Sequence, residues 1–271
     1  MWVRVHFDPR LKLEFRGATI TSDAGLLAFR ELDDALGLTA LAASKLTECR
    51  LGKNTQHALV ALLRQSIFGR LAGYEDVNDA ERLRLDPAMR CLIGNKANSK
   101  PGASSSEMAR FETQMLATEE NLKALADLSG LWVDRVHERA ELKTLVLDMD
   151  SSDSPTHGHQ EGSTFNGHFG FTCYHPLFVF KHFGGLERAM LRPGNVHGSK
   201  GWREGLGPVV ARYRGRKLTR SLRADAAFAR PEIYEFLETE GFCYAIRLPA
   251  NQKLLEAIDH FLTRPVGRPP L

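Results

Sequence analysis

The sequence predicts an α/β fold, a mixed sheet with flanking helices, preceded by an all-helical N-terminal region. Three observations carry this. Apolar residues recur at helical spacing through the first half of the chain. Near residue 142 the period changes, and short apolar runs alternate with helical ones. The order from there is strand, hairpin, helix, strand, helix, strand, helix, so hairpin strands pair antiparallel and helix-linked strands parallel. The expected domains are 1–140, helical, and 141–271, α/β, and no internal repeat is seen.

In the helical region, Thr21-Ser22-Asp23 offers capping oxygens ahead of Leu26, Leu27, Phe29, Leu32 and Leu36, and Gly37 ends the run. Asn54 or Thr55 is the expected cap of a second helix carrying Leu59, Leu62, Leu63, Ile67, Phe68 and Leu71. Asp86-Pro87 reads as an N-cap followed by proline in the first turn, opening a short helix through Met89 and Leu92. After a polar stretch over 95–106, the capping-box pattern Ser104-x-x-Glu107 starts another helix. A last one begins near Thr118, with Leu122, Leu125, Leu128, Trp132 and Val136 along one side.

The α/β region opens with an apolar strand over 145–150. Residues 169–180 are aromatic and β-branched, broken by Pro176, and Gly184-Gly185 turns them into a hairpin partner over 187–191. Trp202, Leu206, Val209, Val210 and Tyr213 have helical spacing, with Pro208 implying a kink or a later start. A strand over 218–225, a helix opened by Pro231, a strand over 243–248 and a helix capped by Asn251 complete the order.

Composition narrows the classes. With 271 residues, 43% hydrophobic and 25% charged, the chain is no disordered tail, collagen-like fibre or disulfide miniature. A net charge of +3 excludes a histone-like polycation yet permits a local basic surface. No apolar run approaches the roughly 18 residues of a membrane span, and the N-terminus lacks a signal-peptide core. Cys49, Cys91, Cys173 and Cys243 form no C-x-x-C pair, which fits a reducing, cytoplasmic setting.

Alternation puts Asp148 and Asp150 on one face of their strand, at its carboxyl end, where open α/β sheets gather their sites. Asp225 closes a second strand. Acids ending core strands need partners, and a hard cation such as Mg²⁺ is one. The bland alternative is that they cap loops or helices, Asp150 over Ser151-Ser152 for example.

Leu147-Asp148-Met149-Asp150-Ser151-Ser152-Asp153 followed by Pro155-Thr156-His157-Gly158 resembles the first catalytic strand of bacterial insertion-sequence transposases of the DDE type, transposase DDE domain group one in particular. Tyr174-His175-Pro176-Leu177, Leu191-Arg192-Pro193-Gly194-Asn195-Val196-His197 and Arg223-Ala224-Asp225-Ala226-Ala227-Phe228 extend the resemblance. The front half joins through Thr21-Ser22-Asp23-Ala24-Gly25-Leu26-Leu27 and Gly73-Tyr74-Glu75-Asp76-Val77-Asn78-Asp79-Ala80. Nearly the whole chain from about Leu13 is covered.

The resemblance implies a ribonuclease H-like core in which three acids hold two Mg²⁺ or Mn²⁺ ions while element ends are cut and joined to target DNA. Asp150 matches the first acid, because small hydroxyl residues follow it in related transposases. Asp225 matches the second, and Asp148 is a supporting acid or a rival for the first place. The third, a glutamate, is expected past a β-rich insertion lying beyond Leu271. The chain therefore reads as C-terminally truncated, with impaired strand transfer; Glu256 and Asp259 on the last helix are rivals for the third acid. Implied partners are double-stranded DNA, as terminal inverted repeats and target, and a second copy as a homodimer on DNA, with no membrane. The implied location is the bacterial cytoplasm, at the nucleoid. The alternative function is a non-catalytic DNA-binding fragment that competes with full-length transposase.

Weaker signals remain open. Ser106, Arg110 and Thr113 could reach phosphates or bases from a recognition helix, or sit on an ordinary capped one; the resemblance implies a DNA-binding region over 1–140 and names no base-reading residue. Lys200, Arg203, Arg212, Arg214, Arg216 and Lys217 form either a backbone-contacting surface or a solvated helix face. His157, His159, His168, His175 and His182 admit a zinc hydrolase reading, without the usual companion motif. Gly267-Arg268-Pro269 is similar to the core of an AT-hook, or is a loop.

Overall fold

The computed structural model describes residues 2–14, 21–50, 55–95, 100–138 and 142–262. The chain divides into two compact units, Met1–Glu141 and Leu142–Leu271.

The first unit opens with an antiparallel ribbon of β1 (Trp2–Arg4) and β2 (Lys12–Glu14), short strands that carry no readable alternation. Helices follow: α1 (Leu26–Leu36), α2 (Leu38–Lys45), α3 (Leu59–Leu71), α4 (Ala80–Leu83), α5 (Pro87–Leu92), α6 (Ser105–Arg110) and α7 (Glu119–His137). The side chains of Asp86, Ser104 and Thr118 cap α5, α6 and α7, accepting from the N–H groups of Met89, Glu107 and Asn121 at 3.0, 3.3 and 3.3 Å. The α3 cap differs from expectation: the helix begins behind Ala58 without a side-chain cap, and Asn54 lies outside the described residues. Leu62, Leu63, Phe111 and Met115 anchor one apolar cluster, and Leu26, Phe68, Met89 and Leu92 a second. Helical spacing did not guarantee burial, since Phe29, Leu32, Leu71 and Leu122 are exposed.

In the second unit, β3 (Thr144–Ser151) starts the main sheet. The chain then leaves it through β4 (Ser154–Pro155), β5 (Thr164–Asn166) and β6 (Phe171–Tyr174), which form a small sheet in the order β4-β6-β5. The run over 169–180 thus supplies strands to two sheets, parting at His175-Pro176. The main sheet resumes with β7 (Leu177–Lys181) and β8 (Leu186–Met190). It closes through α8 (Trp202–Arg212), β9 (Thr219–Ala224), α9 (Pro231–Thr239) and β10 (Cys243–Ile246), and α10 (Gln252–Leu262) follows. Pro208 lies inside α8, which neither breaks nor starts late. Asn251 caps α10 as expected, accepting from the Leu254 N–H at 2.9 Å.

Strand order is β10-β9-β3-β7-β8, with β3, β9 and β10 parallel and β7 and β8 antiparallel. This is the mixed sheet with flanking helices that the sequence predicts. Alternation along β3 buries Leu145, Leu147 and Met149 on one face, against Val179, Leu222 and the apolar sides of α8 and α9, namely Leu206, Val210, Ile233 and Leu237. The other face carries Asp148 and Asp150.

Candidate functional site

Register brings the acids together. In the parallel β3–β9 pair, Asp148 lies beside Arg223 and Met149 beside Ala224. The paired register ends there, and the next residues of the two chains are Asp150 and Asp225, at the carboxyl ends of strands spaced about 4.8 Å apart. Asp225 keeps the extended conformation (φ −79°, ψ −177°), so it continues the face of Arg223. On the opposite flank of β3, Phe180 and Phe178 pair with Asp148 and Asp150 and give the acids an apolar wall, their ring centroids 5.7 Å apart.

Asp150 and Asp225 are both exposed and each is steadied by one backbone N–H. Asp150 Oδ1 accepts from Ser151 at 2.8 Å, and Asp225 Oδ1 accepts from Ala227 at 3.0 Å as the cap of a 3₁₀ turn over Ala226–Phe228. These are the turn-capping roles of the bland reading, and they occupy one oxygen of each carboxylate. Among the described residues neither acid has a cationic partner. Two adjacent carboxylates with uncommitted lone pairs suit a hard divalent ion completed by water and phosphate oxygens. Among the described residues no group of three His, Cys, Asp or Glu side chains has metal-binding geometry. Glu256 and Asp259 do not join the pair, and the histidines assemble no zinc site there.

Asp148 is committed elsewhere. Its two oxygens accept from Arg223 Nε and Nη2 at 2.6 and 2.7 Å, a forked ion pair one rung before the acids. The hydrogen bond to Asp148 and its charge raise the Arg223 pKa above the ordinary arginine value.

The basic run is similarly divided. Arg212 bonds the buried Glu187, which also takes Lys181 at 3.0 Å and the Tyr213 hydroxyl at 2.9 Å. Arg214 bonds Glu240 at 2.8 Å, and Arg216 lies over the Tyr213 ring at 5.1 Å. Lys200 and Lys217 are exposed. In the first unit, Ser106 and Arg110 are exposed on α6, and Arg110 lines a depression of about 630 Å³ with Arg50, Ser104 and Glu107. Residues 267–269 lie outside the described residues.

Sequence reasoning missed the support of the 191–200 loop. Buried Arg192 donates to the carbonyls of His175 at 2.7 Å, Gly198 at 2.8 Å and Lys200 at 2.5 Å. His175 Nδ1 meets the Val196 carbonyl at 3.0 Å. Asn166 donates to the Gly194 carbonyl at 2.6 Å. Gly194 is required by proximity, because a Cβ there would stand 2.4 and 2.5 Å from the carbonyl oxygens of Cys173 and Thr164. A Pro-Gly-Asn turn after a cation was the available signal.

Among the described residues no helix is long and apolar enough to cross a membrane. No curated protein matches the chain. Among solved structures it is similar to a Mos1 transposase paired-end complex with left transposon end, at 12% identity and a TM-score of 0.27, over 80% of this chain and 68% of that one. The family model described as transposase DDE domain group 1 matches residues 3–270, essentially end to end, and the chain belongs to that family.

Proposed function

We propose that the chain acts on DNA as a metal-dependent transposase, with Asp150 and Asp225 as ligands of the catalytic cation. The observation that carries this is the β3–β9 register, which supports the two acids as neighbours at adjacent strand ends in a member of a transposase family. Mg²⁺ or Mn²⁺ held there supplies Lewis-acid activation of the attacking oxygen and stabilisation of the leaving one at a phosphodiester.

The residues of the chain bind and orient. The N–H groups of Ser151 and Ala227 fix the rotation of the two carboxylates, so little ordering remains when a ligand arrives. Phe178 and Phe180 keep water from one flank of the strand that carries Asp148 and Asp150. The Asp148–Arg223 fork holds β3 and β9 in register directly behind the acids and places a guanidinium where phosphate charge would gather. The substrates are element ends and target duplex, and a second copy of the chain on DNA completes the assembly. Full coordination of two ions calls for a third carboxylate beyond the two named.

The test is Mn²⁺ titration followed by calorimetry on the whole chain and on Asp150→Asn and Asp225→Asn, with duplex DNA binding followed across salt. Loss of Mn²⁺ binding in both variants, with salt-dependent DNA binding retained, supports the reading. Unchanged Mn²⁺ binding in either variant removes that residue from the site.

A further inference from the structure

We propose that His197 donates a hydrogen bond from Nε2–H to a phosphate oxygen of the DNA strand at the Asp150–Asp225 pair. This rests on the acid-pair reading above and adds to it the residue that holds the backbone.

The loop between β8 and α8 reaches the acids at one point. Gly198 lies so close to both acid-bearing turns that a Cβ on it would stand 3.1 Å from Ser151 Oγ and 2.9 Å from Ala227 Cβ. Ser151 follows Asp150, and Ala227 supplies the N–H that holds Asp225. Arg192 grips the Gly198 carbonyl at 2.8 Å from behind, so this approach is built into the loop. The neighbouring residue is His197, and it is exposed.

The hydrogen bonds of His197 settle its tautomer. Nδ1 faces the Ser199 backbone N–H at 3.2 Å, and a backbone N–H can only donate, so Nδ1 is the acceptor. The Ser199 hydroxyl lies 2.9 Å from the same nitrogen and itself accepts from Arg230 Nη1 at 3.2 Å. Arg230 therefore orients Ser199, which is 1% exposed, and Ser199 orients the imidazole. The ring proton is left on Nε2, the edge these bonds do not use. Lys200, Arg203, Arg214 and Arg230 line the same depression of about 1140 Å³ as His197, balanced by Glu204, Glu232, Glu235 and Glu240, with Arg230 3.7 Å from Glu232. A fixed, exposed donor on the residue beside Gly198, where the loop abuts both acid-bearing turns, matches a phosphodiester, whose oxygens only accept.

Histidine ¹⁵N spectra of the whole chain, recorded well above pH ~6.5, read the tautomer directly. The expected wild-type spectrum shows the Nε2–H form, and its Nε2 resonance moves when mixed-sequence duplex DNA is added with Ca²⁺. Ser199→Ala is expected to yield mixed tautomers. His197→Ala is expected to weaken binding of that DNA about tenfold, the size of one hydrogen bond to a charged group, and His197→Gln, which keeps a donor at similar reach, restores most of it. An Nδ1–H tautomer, an Nε2 resonance blind to DNA, or wild-type affinity in His197→Ala overturns the assignment alone. Mn²⁺ binding that survives both Asp150→Asn and Asp225→Asn overturns the acid-pair reading and this assignment with it.

Discussion

Two carboxylate centres on the same sheet are built in opposite ways. Glu187 on β8 is fully buried and meets Lys181, Arg212 and Tyr213, so every oxygen is answered. Asp150 and Asp225 stand exposed at strand ends, each with a single backbone N–H. A carboxylate taken out of water must be paired, and once paired it serves the fold. One left at the rim with unspent lone pairs contributes little to stability and is available to a ligand. The contrast separates structural acids from candidate ligands without reference to conservation.

Stability measurements can sharpen or break this contrast, from the largest expected change to the smallest. Glu187→Ala leaves Lys181 and Arg212 facing each other without their counter-charge and is expected to cost about 3–5 kcal/mol in urea unfolding; a near-neutral result would make the buried cluster dispensable. Gly194→Ala pushes a methyl into two carbonyl oxygens and is expected to cost about 1–3 kcal/mol by the same measurement, through displacement of the loop. Asp150→Asn should stay within about 0.5 kcal/mol of wild type while abolishing Mn²⁺ binding in calorimetry. A large stability loss there would place Asp150 with Glu187. Asp148→Asn removes an exposed ion pair, and a small shift in melting temperature with Mn²⁺ binding preserved is expected.

Acid titration gives the last and gentlest test. Hydrogen bonding from Arg214, and its charge, hold the Glu240 pKa below the ordinary glutamate value. A carboxyl depressed in the folded state contributes stability that is present above its unfolded pKa and lost as pH falls through the folded one. Arg214→Ala should therefore flatten the acid limb of the melting-temperature profile and leave neutral pH nearly untouched.

Much of this was legible in the residues. Asp150 and Asp225 stood out because charged residues closing apolar strands are difficult to explain by packing, with turn capping as the alternative, and strand alternation alone put Asp148 and Asp150 on one face. Less could be read where partners come from far along the chain. Glu187, Lys181 and Arg212 look like ordinary surface charges until β7, β8 and α8 are packed together. Arg212 and Arg214 read as part of a basic surface for the same reason, though both are held by glutamates. The small sheet was invisible because strands of two to four residues carry no period, and β6 and β7 read as one interrupted strand. The part played by His197 depends on a close approach at Gly198, which no spacing rule encodes.

The parallel neighbourhood of β3 and β9 has a thermodynamic corollary. Residues 150 and 225 adjoin only after the intervening hairpin and crossover helix are in place, so any cation that bridges them acts as a clip on a long closed loop. Ligation there would favour the finished sheet over every partly assembled one, and the melting temperature would climb with the logarithm of cation concentration. Occupancy of the acid pair would then be a direct gauge of how completely the domain has folded.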